Sequence, residues 1–168
     1  MSTLNVTNAN TTNLSVTTIK HTNGTNALII DSVGRVTRPN NPAFYAYGTT
    51  GNTAYGNGSE FIMGSVQTNI GNNYNPANGR FTAPVAGFYL FSYGIYSYVT
   101  CQLSFKRNGT DYIPADTAGL FTLQANTVGG PSFMLYLNAN DTASFGFRNG
   151  YSGNVYTSHG WFSGFLVQ

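Results

Sequence analysis

Large apolar residues recur at every second position through most of the chain beyond Pro42. In Gly87-Phe88-Tyr89-Leu90-Phe91-Ser92-Tyr93, continuing to Ile95, alternation puts Tyr89, Phe91, Tyr93 and Ile95 on one face of a strand. Phe88, Leu90 and Ser92 fall on the other. The same period predicts strands over Ala43–Tyr47, Phe61–Val66, Val99–Lys106, Leu120–Ala125, Ser132–Asn138, Ala143–Arg148 and Trp161–Val167. No window sustains a 3.6-residue period, so helix is expected to be nearly absent. Asn75-Pro76 and Asn78-Gly79 are turn dipeptides, and Pro76 and Pro84 bracket a short run around Phe81. Asn108-Gly109 predicts a hairpin between Val99–Lys106 and Tyr112–Ala115. Gly48–Ser59, rich in Gly, Thr and Asn, reads as a mobile loop; it lacks the Lys-Ser/Thr pair and following helix of a phosphate cradle.

Residues 1–38 differ in character. They are rich in Asn and Thr, lack Phe, Tyr and Trp, and carry apolar residues in small groups: Leu4/Val6, Leu14/Val16, Ile19 and Leu28/Ile30. Each group suits one face of a short strand that cannot bury its stripe alone. Three copies side by side could, as in the shaft of a viral fibre; a disordered Asn/Thr tail is the alternative. Asn26–Thr37 reads as strand, turn, strand, with Gly34 in the turn.

Further along, Asn69-x4-Tyr74-x6-Phe81-x5-Gly87-x-Tyr89-x-Phe91-x-Tyr93 resembles the signature of the C1q globular domain. Met63 stands where that family has Phe, a replacement a core site accommodates. Leu135-x-Leu137-Asn138-Ala139-Asn140-Asp141 is similar to the family's Leu-x-Leu, turn, Gly-Asp hairpin, with Asn140 in place of Gly. Phe162-Ser163-Gly164-Phe165-Leu166 resembles its closing strand. The resemblance implies an all-β jelly-roll β-sandwich of C1q/TNF type over residues 39–168, assembled as a homotrimer, behind an extended N-terminal β-rich segment (1–38). Around Pro39-Asn40-Asn41-Pro42, the junction resembles that between shaft and head in phage tail-fibre proteins, cyanophages especially.

Composition narrows the function. Of 168 residues only 7% are charged while 15% are aromatic, which argues against disorder and for extensive buried or contact surface. So few charges would protect a monomer poorly against association. The net charge of +2 comes from scattered Lys and Arg, so no nucleic-acid partner is expected. No run has the length of a transmembrane helix and no secretory signal opens the chain, so a protein made and folded in a cytoplasm, without membrane insertion, is expected. Cys101, in an apolar alternating run, reads as a small buried hydrophobe. His159 and the five acidic residues show no catalytic or metal-ligand spacing, so no catalytic residue, metal or cofactor is expected.

Two groups remain as site candidates. Phe88 and Leu90 oppose Tyr89 and Phe91, and Trp161, Phe165 and Val167 oppose Phe162 and Leu166; a sheet with one wet face would alternate apolar with polar. Either loops cover the second face or neighbouring subunits do. The resemblance selects subunits, making Phe88, Leu90, Trp161, Phe165 and Val167 the trimer interface. The second group is Arg148, Tyr151 and Tyr156, in an expected loop from Arg148 to Thr157 rich in Gly, Ser and Asn. Such a loop suits a glycan or protein receptor, or is an ordinary hairpin loop. Together these imply a non-enzymatic phage virion protein, assembled in the host cytoplasm. Its N-terminal segment would meet other virion proteins and its head a host surface; the alternative is a free C1q-like lectin or ligand-binding module.

Overall fold

The computed structural model describes residues 17–112 and 120–167. The chain divides into two compact units, Met1–Asn40 and Asn41–Gln168. In the first, β1 (Thr18–Lys20), β2 (Asn26–Ile30) and β3 (Val36–Thr37) form an antiparallel sheet in that order. The turn expected at Gly34 is present, with Gly34 at φ 86°. Asp31 shapes it: its Oδ1 accepts from the N–H groups of Val33 and Arg35, at 3.0 and 2.9 Å. None of residues 17–40 is buried, as expected of three short strands with no second layer. The pairs Leu4/Val6 and Leu14/Val16 lie outside the described residues.

The second unit is a sandwich of two antiparallel sheets. Its strands are β4 (Ala43–Tyr47), β5 (Asn52–Tyr55), β6 (Ser65–Ile70), β7 (Tyr74–Asn75), β8 (Arg80–Thr82), β9 (Gly87–Ser97) and β10 (Cys101–Arg107). They continue as β11 (Thr110–Asp111), β12 (Leu120–Leu123), β13 (Thr127–Gly129), β14 (Ser132–Leu137), β15 (Thr142–Phe147) and β16 (Gly153–Leu166). The larger sheet runs β9-β16-β4-β6, with β13 and β14 on the free side of β9 and β5 on β16. The smaller runs β10-β15-β8-β7, with β11 and β12 on the free side of β10. Among the described residues there is no helix.

Alternation along β9 is as the sequence predicts: Tyr89, Phe91, Tyr93 and Ile95 are fully buried between the sheets. Phe44 stacks on Tyr74 at 4.8 Å and on Phe81 at 5.0 Å and meets Phe162 edge-on at 4.9 Å; Phe91 reaches Phe105 across the sandwich at 5.1 Å. Met63 is fully buried, and its carbonyl accepts the Tyr74 hydroxyl at 2.9 Å. Burial pushes the Tyr74 phenol well above its ordinary pKa of 10.0. Asn69 clamps the backbone of Tyr74, accepting its N–H at 3.0 Å and donating to its carbonyl at 2.8 Å. That clamp explains the Asn69-x4-Tyr74 spacing. Asn69→Leu leaves both backbone groups unpaired and is expected to cost about 2 kcal/mol. Urea midpoints measured at one chain concentration check it; an unchanged midpoint would reject the clamp.

Three local expectations give way. Gly48–Ser59 contains β5, which pairs Asn52–Tyr55 with β16. The strand expected at Phe61–Val66 lies at Ser65–Ile70 instead. Glu60 bridges Gly146 in the smaller sheet and Ser65 pairs with Tyr47 in the larger, so the intervening residues cross between layers and cannot stay in one ladder. Phe61 and Met63 alternate because both fill the core on the way across. The final strand begins at Gly153, eight residues before the expected Trp161. The hairpin at Asn108-Gly109 forms, both residues having positive φ (54° and 76°), and its pairing ends at Asp111. Residues 113–115 of its expected second arm are not among those described. Cys101 is fully buried, as expected.

Candidate functional site

The face of the larger sheet turned away from the core carries the apolar surplus. Phe88, Met134, Tyr136, Phe165, Val167, Tyr45 and Tyr47 are each between 38% and 57% exposed. The ladder places them side by side: Phe88 faces Tyr136, Leu90 faces Met134 on one side and Phe165 on the other, and Tyr47 faces Trp161. Phe88 and Tyr136 meet edge-to-face at 5.4 Å and form a ridge on β9 and β14. Across the sheet is a groove of about 270 Å³, lined by Tyr45, Thr68, Leu90, Ser163 and Phe165 among others. Trp161 lies over Gly94, where an added Cβ would stand 2.3 Å from the indole, and its Nε1 donates to Ser92 Oγ at 3.2 Å. A bare α-carbon at Gly94 is thus what lets the indole lie flat on β9.

All five residues expected at a subunit interface lie on this face, and none of the five is buried. The expectation named five of the nine apolar residues placed on this face. Met134, Tyr136, Tyr45 and Tyr47 were missed, although Ser132–Leu137 shows the same two-sided alternation, with Phe133, Leu135 and Leu137 turned inward. The three candidates at Arg148–Thr157 are not brought together. Arg148 donates to the Gln102 side chain, and Tyr151 packs against the core. Tyr156 belongs to β16 and faces outward with Tyr96, Tyr98 and His159.

The buried charge sits on the smaller sheet. Lys106 and Asp111 form an ion pair with side chains only 2% and 7% exposed. Asp111 also accepts from Ser104 Oγ at 2.7 Å and from the Asn149 N–H at 2.8 Å, tying β11 to the loop after β15. Burial pushes the Asp111 carboxyl up, but its hydrogen bonds from Lys106, Asn149 and Ser104 outweigh this and hold it below the ordinary 3.8. Asp141 is lowered too, first by the Asn108 side chain, with the Asn138 N–H and Arg107 adding to it. Both groups have folded-state values below the unfolded one. Their stabilisation is therefore complete above 3.8 and is lost as pH falls through the lower folded values. The thermal midpoint at about pH 3 is expected to lie below that at about pH 6, and equal midpoints would contradict the pairing. Among the described residues, no three His, Cys, Asp or Glu side chains gather as a metal site.

Residues 43–167 match the C1q domain family profile. Among solved structures, the fold is similar to the globular domain of zebrafish complement 1qA, at 18% identity and TM-score 0.57, covering 76% of this chain and 98% of that one. It is similar to the Eiger TNF of S. frugiperda, at 16% identity and TM-score 0.55, covering 78% and 94%. It is also similar to the vertex protein of phage PRD1, at 11% identity and TM-score 0.50, covering 76% and 98%. Comparison with curated protein sequences gives no match.

Proposed function

Because the chain belongs to the C1q domain family, we propose that it works as a trimeric binding head, carried on a phage particle by its N-terminal segment and directed at a host surface. The observation that carries this reading is the apolar outer face of the larger sheet. Ridge and groove occupy different parts of that face, so each copy can seat Phe88 and Tyr136 of its ridge in the groove of the next. A three-fold rotation closes such a head-to-tail contact into a ring. Each half-exposed Phe or Met that becomes buried contributes on the order of 1 kcal/mol, and the patch holds enough of them for a stable contact.

The particle setting has two supports. The first unit has strands but no buried residue of its own among 17–40, as suits a segment completed by copies alongside it. One of the similar folds is a phage vertex protein. Function on a repetitive host surface then follows from avidity: three weak sites on one rigid head can gain a factor of about 10²–10⁴ over one. Immunogold electron microscopy of purified particles, with antibody against the head, tests the setting. Label at projecting positions is expected. Particles free of the chain, with a soluble trimer in the medium, would instead make it a free lectin-like module.

A further inference from the structure

At one end of the outer face, four rings form a cleft that the trimer contact does not use. Tyr96, Tyr98, Tyr156 and His159 line a space of about 250 Å³. Tyr96 stands nearly perpendicular to Tyr98 and to Tyr156, at 5.3 and 5.8 Å between centroids, and His159 lies 5.6 Å from Tyr156. Each edge-to-face contact covers one face of one ring and leaves the other faces of the pair uncovered by it.

The cleft is built into the sheet by a bulge. The register of β16 against β9 shifts between Tyr156 and Trp161. Thr157, 2% exposed, pins the shift by donating its hydroxyl to the Thr50 carbonyl at 2.8 Å and accepting the Thr50 N–H at 3.2 Å. The extra residues let β16 present His159 beside Tyr96 and Tyr156. Bulges of this kind re-aim side chains next to functional sites.

Position matters as much as shape. The head begins at Asn41, whose side chain donates to the Leu166 carbonyl at 2.7 Å, and Leu166 pairs with Tyr89. Tyr156 pairs with Tyr96, seven residues further along β9, roughly 23 Å at 3.3 Å per residue. The cleft therefore lies at the end of the sheet away from the first residue of the head.

We propose that this cleft holds one sugar ring of a surface glycan, a proposal that rests on the host-binding reading above. Its lining has no carboxylate, Lys or Arg, so it offers no ion pair to a charged guest, and the cation attraction of its aromatic faces is what a tetramethylammonium probe tests. What it offers is aromatic faces for the C–H face of a pyranose and hydroxyls that both donate and accept. Amides stand beside it: Tyr96 donates to Asn126 Oδ1 at 3.3 Å, and Asn154 donates to Asn52, whose β5 position pairs with Tyr156. The hydrogen bond with Tyr156 is the first cause pushing the Tyr98 phenol up to about 12, so its hydroxyl stays protonated at neutral pH. The volume is below the roughly 300 Å³ at which drug-sized pockets begin, a scale that fits one sugar ring.

Saturation-transfer NMR on the intact chain tests this, with glucose, galactose, mannose, rhamnose and N-acetylglucosamine as probes and tetramethylammonium as a cation probe. At least one sugar is expected to give transfer that falls tenfold or more in Tyr98→Ala and in Tyr156→Ala, with oligomer mass unchanged. Tyr98→Phe, which keeps the ring, is expected to lose less than Tyr98→Ala. Transfer from no sugar, transfer from tetramethylammonium alone, or sugar transfer that survives both alanine variants would each overturn the assignment. Adsorption of the labelled chain to host cells separates this failure from the wider one. Adsorption without cleft-dependent transfer rejects the cleft and keeps the binding head; neither adsorption nor transfer rejects both.

Discussion

Phe88→Asp and Phe165→Asp are each expected to turn the assembled head into single chains while leaving its sandwich folded. In the isolated chain both side chains are nearly half exposed, at 48% and 44%, so a carboxylate at either place still reaches water. In the proposed ring, Phe88 belongs to the ridge and Phe165 lines the groove. A carboxylate there would be buried three times per trimer against apolar groups with no partner. The penalty is several kcal/mol per ion, more than the contact it replaces could contribute. The mass from light scattering should fall threefold and far-UV circular dichroism should not change. A variant that keeps its mass would show that this face is not an interface; one that loses its circular dichroism signal would mark the residue as part of the fold.

Asp111→Ala is the second large effect, and it acts through the fold. Lys106 has a side chain only 2% exposed and its charge faces Asp111. Removing the carboxylate leaves a buried ammonium unbalanced and frees the Asn149 N–H and Ser104 Oγ from their acceptor. Breaking a buried pair on one side costs about 3–5 kcal/mol. For a domain of this size that lowers Tm by roughly 10 °C or more. The double variant Lys106→Met/Asp111→Leu removes both charges together and should recover most of the loss, because apolar replacements of similar volume are often neutral. If Asp111→Ala melts within a degree or two of the parent chain, the pair is not structurally significant.

The C1q signature was readable because it spells out a core. Tyr74, Phe81, Tyr89, Phe91 and Tyr93 are all buried, and Asn69 holds Tyr74 in place. Burial on one side of a strand imposes a two-residue period, and that period survives in a single sequence. The outer-face residues of β9 and β16 were legible by the same logic, as large side chains where a wetted sheet would have polar ones. Tyr45, Tyr47, Met134 and Tyr136 were harder to see, because in strands apolar on both faces alternation alone does not say which face is inside.

Less was legible where partners are distant in sequence. Lys106 and Asp111 look like ordinary surface charges flanking the Asn108-Gly109 turn, yet the ladder pairs them and the loop at Asn149 covers them. Tyr96 near the end of β9 and Tyr98 just past it stand some sixty residues before Tyr156 and His159. Only the β9–β16 pairing and the bulge after Tyr156 bring those rings together. A loop reading of Arg148–Thr157 separated Tyr156 from that company and joined it to Arg148, whose guanidinium binds Gln102 instead.

The account depends most on three chains sharing the outer face of the larger sheet. Multi-angle light scattering on the intact chain at micromolar concentration tests that directly. The predicted mass is three times the 18.1 kDa of one chain. A mass equal to one chain, from folded protein, would contradict it.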